Sequence, residues 1–371
     1  MKIRKINRNK EKKRVLLVPL DWGLGHATRC IPLIRLLIKQ QVEVFVAGEG
    51  KIIALLEKEL PEIVILPLKG YRVSYANHRN KLLIKLLFQF PKVLNTIRME
   101  QKWLQQTIIE HQIDAVISDN RFGLYSSKIP SVFITHQLSI QTGNNWLNRL
   151  AQKVNYSLIN KFNECWVPDL AGSSNLGEEL SHPVILPAIP VSYLGILSRC
   201  SKVQVQKNID LLVLVSGPEP QRTIFENILL NELRDTSLSV VLLRGLPGDE
   251  KTISIENKKL TIFNHLATEE LNHLMQEAEL VIARSGYSTI MDLVSLHQKA
   301  ILVPTPGQTE QEYLASILMK KGLFYSASQK NFSLKSVLEK IKDFKFNEPA
   351  LNPELDESVL IKWLEKIKSA V

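Results

Sequence analysis

Cysteine is scarce and unpaired in this chain. Cys30, Cys165 and Cys200 are three thiols scattered over 371 residues, with none of the close spacings of a zinc site. That argues against both a disulfide framework and a metal-stapled domain, and leaves buried structural thiols as the expectation. No apolar run reaches the ~18 residues that a membrane span needs. Val15 to Leu20, the first strongly apolar segment, is also too short for a signal-peptide core, so the chain is expected to stay in the cytoplasm. Also missing are any legible internal repeat, any zinc-finger, helix-turn-helix or RNA-recognition motif, and any carboxylate cluster spaced to hold a metal.

What is present is enough apolar material, 45% of residues, for two cores of ordinary size. The formal charge of +10 is unevenly placed: residues 1 to 190 hold 26 Lys/Arg against 15 Asp/Glu. Within that half, residues 1 to 14 carry eight basic side chains against Glu11, which makes a short basic arm. Such an arm is either a solvated tail or a contact for anionic lipid. With the charge confined to a tail and no recognition motif, a nucleic-acid partner has little support.

Short apolar runs alternate with amphipathic helical patterns. Val15 to Leu20, Val42 to Ala47, Ile63 to Leu68, Ala115 to Ser118, Val132 to Thr135 and Cys165 to Val167 read as strands of a parallel sheet covered on both faces. The rhythm loosens between Pro187 and Lys202 and restarts at Asp210 to Val215, then Val240 to Leu243, Leu260 to Phe263, Leu280 to Ala283 and Ala300 to Val303. The expected organisation is a basic arm (1–14), a Rossmann-like domain (15–195), a second one (196–353) and a C-terminal helix (354–371) that can pack back on the first. Two α/β sheets of this kind place a cleft between the carboxyl ends of their strands, where ligands bind.

The motifs sit at such strand ends. Arg284-Ser285-Gly286-Tyr287-Ser288-Thr289, with Asp292 one turn on, is a strand breaking into a hydroxyl-rich turn and a helix start. A helix start offers unpaired N–H groups to phosphate oxygens, and Asp292 could accept from ribose hydroxyls. Gly23-Leu24-Gly25-His26-Ala27-Thr28-Arg29 follows the first strand. Thr28 stands where a dinucleotide fingerprint needs its third glycine, so NAD is weakly supported. His26 is instead fixed at the cleft floor as a candidate general base, and Asp119, at the tip of the strand Ala115 to Ser118, is the carboxylate that can orient it. Asp114 competes for that role but starts the strand. Arg29, Asn120 and His136 fall on the acceptor side. Ser216, Gly217 and Arg222 form another strand-to-helix turn, with Arg222 a candidate phosphate partner. The backbone near Leu266 is suited to bracket a base, and Gln308 and Gln311 are suited to sugar hydroxyls.

Taken together, these residues resemble the GT-B glycosyltransferases over nearly the whole chain. The similarity is greatest to glycosyltransferase family 28, which contains the bacterial lipid I N-acetylglucosaminyltransferase, and more distant to the UDP-glucuronosyl and plant UDP-glycosyltransferases. The resemblance implies an α/β GT-B fold and a UDP-sugar co-substrate with no further cofactor. It also implies that Ser285, Gly286 and neighbouring hydroxyls meet the diphosphate, Asp292 the ribose, and Gln308 and Gln311 the sugar. Gly23, Gly25 and His26 match the acceptor-domain loop, and the order His26 then Asp119 matches the plant dyad. Two departures are Asp292 in place of a glutamate and Pro218 and Pro220 in place of a Gly-rich loop.

The expected reaction is inverting, metal-independent hexosyl transfer to the hydroxyl of a glycan, lipid-linked or small-molecule acceptor. Family members with lipid-linked acceptors dock on membranes, and the basic apolar stretch Lys81 to Phe90 is a candidate peripheral contact. Gly25 to Arg29 also resembles the nucleotide-sugar hydrolase of pseudaminic acid synthesis, so hydrolysis is the competing reading.

Overall fold

A computed structural model describes residues 12–71, 79–140, 145–248, 253, 256–349 and 354–369. Most of the basic arm, and the side chains of the Lys81 to Phe90 stretch, lie outside the described residues.

The first sheet contains β1 (Arg14–Val18), β2 (Glu43–Gly48), β3 (Val64–Pro67), β4 (Ala115–Asp119), β5 (Ser131–Ile134), β6 (Glu164–Val167) and β7 (Val191–Tyr193). Its helices are α1 (Leu24–Lys39), α2 (Lys51–Glu59), α3 (Arg79–His111) and α4 (Asn145–Ile159). The second sheet contains β8 (Ile209–Leu214), β9 (Val240–Leu243), β10 (Leu260–Phe263), β11 (Ala278–Ala283), β12 (Ala300–Leu302) and β13 (Tyr325–Ser326). With it come α5 (Gln221–Leu233), α6 (Thr268–Glu277), α7 (Tyr287–Ser295), α8 (Thr309–Lys320), α9 (Leu334–Ile341) and α10 (Glu357–Ser369).

Both sheets are parallel, with orders β3-β2-β1-β4-β5-β6-β7 and β10-β9-β8-β11-β12-β13. The order reverses direction between β1 and β4 in one and between β8 and β11 in the other, and these switch points open the crevices where α/β proteins bind ligands. Strands such as Val15-Leu16-Leu17-Val18 are buried on both faces, which is why they read as continuous apolar runs rather than alternating ones. Two short edge strands, β7 and β13, carry no such run and were not expected.

Two boundaries differ from the sequence reading. Arg14 belongs to β1 rather than to a free arm: its guanidinium is buried, with Nε donating to Glu43 Oε2 at 2.7 Å. The sequence pattern alone predicts a first helix from about Ala27 to Gln40, but α1 begins at Leu24, so Gly25 and His26 lie inside its first turn. All three cysteines are buried.

The chain passes between the domains twice, side by side. Gly195 bridges Leu355 in antiparallel fashion, Ile196 N donates to Glu354 O at 3.1 Å, and Asp356 N donates to Leu194 O at 2.7 Å. Gly195 has φ +72°, and a Cβ there would stand 2.1 Å from the Glu354 carbonyl oxygen, so only glycine fits. Helix α10 then lies on the first domain. Trp363 meets Trp166 edge to face with centroids 5.3 Å apart, and Leu360, Leu364 and Ile367 join the same core. Replacing Trp363 with Ala removes that anchor and should cost about 3 kcal/mol, read as a lowered urea midpoint. An unchanged midpoint would mean the helix does not hold this core together.

Candidate functional site

The β1–α1 turn and the tip of β4 are neighbours because β1 and β4 pair in register, Val18 opposite Ser118. His26, projecting from the first turn of α1, therefore meets Asp119: its Nδ1 lies 2.9 Å from Asp119 Oδ2. Arg29 sits one turn further along the same helix face. Its guanidinium grips the carboxylate with two nitrogens, Nε on Oδ2 at 3.1 Å and Nη2 on Oδ1. Asp114 lies at the far end of β4, where its Oδ2 accepts from Arg14 N at 2.8 Å.

Asp119 is fully buried. Burial opposes its charge, but Arg29 and then His26 outweigh that cost and bring the carboxyl down to about 2. For His26, burial reinforced by Arg29 lowers the imidazole below its usual 6.5 against the upward pull of Asp119, so the ring is neutral at pH 7. Two charged groups compete at Nδ1: Asp119 Oδ2 at 2.9 Å favours a hydrogen there, whereas Arg29 Nη2, also at 2.9 Å, favours a lone pair. With the hydrogen on Nδ1, Nε2 keeps its lone pair. The ring is 18% exposed, and a group so arranged can accept a proton from a hydroxyl in the cleft.

The second domain approaches from the other side through α7. Ser288 Oγ donates to Gly25 O at 2.8 Å, and a Cβ on Gly25 would come within 3.0 Å of that same oxygen. The two helix starts thus abut, and Gly25 permits the contact. Tyr287 stacks on His136 with centroids 4.2 Å apart and planes 15° from parallel. Gly286 is the N-cap of α7, with no side-chain cap, and Thr289 stands half-buried in the first turn. Ser216 and Gly217 are exposed at the end of β8, and Leu266 is half-buried after β10.

Several expected ligand-binding side chains are already engaged within the protein. Arg222 does not reach towards a phosphate: it is buried, with Nε on Glu219 Oε1 at 2.5 Å and Nη1 on Glu226 Oε2 at 3.1 Å, because acids lie three residues before and four after it on the helix. Arg284 is buried over the Phe225 ring at 4.0 Å and donates to the carbonyls of Val303, Pro304 and Gln221, which ties three strand-end loops together. The Ser285 hydroxyl donates to Gln311 O at 2.8 Å. Asp292 likewise has partners within the protein. Ser198 Oγ donates to Asp292 Oδ1 at 2.7 Å, and Arg199 lies 3.8 Å from Oδ2, so the linker occupies this carboxylate. Gln311 receives Thr305 N on Oε1 at 2.9 Å and donates to Gln308 Oε1 at 2.5 Å. Asn120 turns the chain after β4 with φ +56°, and its N–H donates to Ile134 O at 3.1 Å.

His136 is no open wall of an acceptor pocket. It is buried, with Nδ1 3.0 Å from Arg29 Nη1 and Nε2 2.7 Å from Glu310 Oε1 on α8. Gln137 Nε2 also donates to Glu310. Glu310, Gln137 and Ser198 were missed by sequence reasoning. Glu310 lies between Gln308 and Gln311, but nothing in the sequence ties it to a histidine 174 residues earlier.

Residues 214–369 match the glycosyltransferase family 28 C-terminal domain. A UDP-N-acetylglucosamine–N-acetylmuramyl-(pentapeptide) pyrophosphoryl-undecaprenol N-acetylglucosamine transferase of Caldanaerobacter subterraneus subsp. tengcongensis is 24% identical over 155 residues. The matched segment is 40% of this chain and 42% of that protein, so the similarity spans less than half of the relative's length. An uncharacterized glycosyltransferase of Methanosarcina acetivorans is 24% identical over 336 residues, 83% of this chain and 84% of its own. The glycosyltransferase SnogD of Streptomyces nogalater superposes with a TM-score of 0.60 at 15% identity, over 95% of this chain and all of that one. The fold is that of the GT-B glycosyltransferases, and the second domain is similar to the C-terminal domain of glycosyltransferase family 28. The similarities are to transferases and lend no support to hydrolysis.

The lowered Asp119 carboxyl fixes a pH dependence. A carboxyl depressed from 3.8 to about 2 stabilises the fold above about pH 4, and that contribution is lost as pH falls through about 2. It corresponds to about 2 kcal/mol. Asp119→Asn should therefore lower the urea midpoint at pH 6, with the gap from wild type narrowing below pH 4. A gap independent of pH would show that the carboxylate is not stabilised by its neighbours.

Proposed function

We propose that the protein transfers a hexosyl group from a nucleotide diphosphate sugar, with UDP as the nucleotide, to an acceptor hydroxyl by direct displacement with inversion. The observation that carries this reading is the neutral His26, anchored through Nδ1 on Asp119 where the starts of α1 and α7 meet. Nε2 removes the acceptor proton as the hydroxyl oxygen attacks the anomeric carbon. The buried Asp119 then stabilises the imidazolium that forms. On the donor side, the N–H groups opening α7 at Gly286, Tyr287 and Ser288 face the departing diphosphate and supply positive charge. Ser216 and Gly217 close the other side of that crevice.

With Arg222 and Arg284 committed to internal partners, the phosphate contacts fall to backbone rather than to these guanidinium groups. In this reading no metal is needed at the phosphates, because helix N-termini take that role. The UDP assignment is supported by the Caldanaerobacter relative, whose name gives UDP-N-acetylglucosamine as donor and a pyrophosphoryl-undecaprenol acceptor. A lipid-linked acceptor for a cell-envelope glycan, met at the inner face of the membrane, is the corresponding acceptor reading. Among the described residues no helix is long and apolar enough to cross a membrane, so such contact would be peripheral.

Thermal unfolding across a panel of nucleotides tests the donor: at 100 times its Kd a ligand adds about 2.7 kcal/mol. UDP and one UDP-sugar should raise the transition while NAD does not. His26→Ala should then lower kcat roughly 100-fold or more while the UDP-induced shift remains. Full turnover in that variant, or a product that keeps the anomeric configuration, would sink the mechanism.

A further inference from the structure

We propose that Arg29 and His136 are positioning residues that set the tautomer of His26, and that Glu310 of the second domain locks them when the domains close. The inference rests on the proposed base role of His26 and adds a control over it. Arg29 is pinned by three nitrogens: Nε and Nη2 on Asp119, and Nη1 at 3.0 Å from His136 Nδ1. A guanidinium N–H can only donate, so His136 Nδ1 must be bare and the His136 proton must sit on Nε2. That Nε2–H points at Glu310 Oε1, 2.7 Å away. The donors then run in one direction: His136 gives to Glu310, Arg29 gives to His136 and Asp119, and His26 gives to Asp119 in competition with Arg29 Nη2.

The residues that hold His136 come from the opposite domain. Glu310 starts α8 and accepts from both His136 and Gln137, while Tyr287 of α7 stacks on the His136 ring. Withdrawing that domain removes the acceptor for Nε2–H. Without that carboxylate the His136 ring is less polarised, Nδ1 becomes a weaker acceptor, and its hold on Arg29 Nη1 slackens.

Arg29 also competes with Asp119 for His26, since its Nη2 lies 2.9 Å from His26 Nδ1, as close as the carboxylate oxygen. The more strongly Nη1 is held by His136, the less Nη2 takes that nitrogen; where Nη2 does donate there, the His26 proton sits on Nε2 and the ring cannot act as a base from it. Closure over the donor thus puts the lone pair on the working nitrogen, and opening takes it away.

The test is nitrogen-15 NMR of the full-length protein labelled in histidine, with each ring assigned by a His→Gln variant. In wild type, His136 should be the Nε2–H tautomer and His26 the Nδ1–H tautomer. Glu310→Ala should convert the His26 ring to mixed tautomers, and Glu310→Gln, which keeps an acceptor oxygen, should restore it. His136→Phe preserves stacking on Tyr287 without either nitrogen and should likewise loosen His26, so a poorly folded alanine variant does not leave the question open. With substrate, Glu310→Ala should lower kcat at least tenfold while the KM for nucleotide sugar moves less than threefold. An unchanged His26 signal in Glu310→Ala and His136→Phe overturns the proposal. So does a tenfold rise in donor KM at constant kcat, which would make Glu310 a donor-binding residue only. The tautomer measurement needs no substrate, so its failure is distinguishable from failure of the transferase reading, which would show as absence of any nucleotide-induced stabilisation.

Discussion

A fully buried carboxylate at the end of a central strand is the constraint around which this site is built. Asp119 has no water to stabilise its charge, and an unpaired buried charge would cost several kcal/mol. The fold meets that cost with one helix face, α1, which delivers Arg29 for charge and His26 for a hydrogen bond from a single register. The same arrangement keeps His26 neutral, because the nearby guanidinium and the buried setting outweigh the carboxylate's preference for an imidazolium. Stability and the availability of a base therefore come from one set of contacts.

Much of this was legible in the sequence. Strands buried on both faces must be continuous apolar runs, so β2 and β9 could be placed to within a residue. His26 and Asp119 could be paired because each follows such a run, and in parallel sheets all strand ends share one side. Burial of charge was not legible. Arg222 and Arg284 read as ligand-facing from the sequence, yet acids at i−3 and i+4 hold one, and three carbonyls from two loops accept from the other. The link between His136 and Glu310 was invisible for a related reason: it joins two domains, and no periodicity reports on a contact that only tertiary structure creates.

The two sides of the cleft solve different electrostatic problems. The first domain spends a buried guanidinium on a buried carboxylate and leaves one imidazole nitrogen free. The second ties its buried guanidinium groups to backbone and neighbouring acids, and leaves exposed small residues, Ser216 and Gly217, beside a helix start. An anion arriving there meets oriented peptide dipoles, which need no side-chain reorganisation to receive it.

The double passage between domains has a mechanical meaning. A single linker lets two bodies swivel about any axis, whereas two adjacent antiparallel segments joined by hydrogen bonds at Gly195, Ile196 and Asp356 behave as a strap with width. Twisting about the strap's length would shear those bonds, while bending across it leaves them whole. Any relative motion of the domains that keeps these bonds is thereby confined mainly to bending across the strap, which would bring the start of α7 and the tip of α8 back to the same place over α1. Registry between two halves encoded hundreds of residues apart becomes a property of how the backbone is laced.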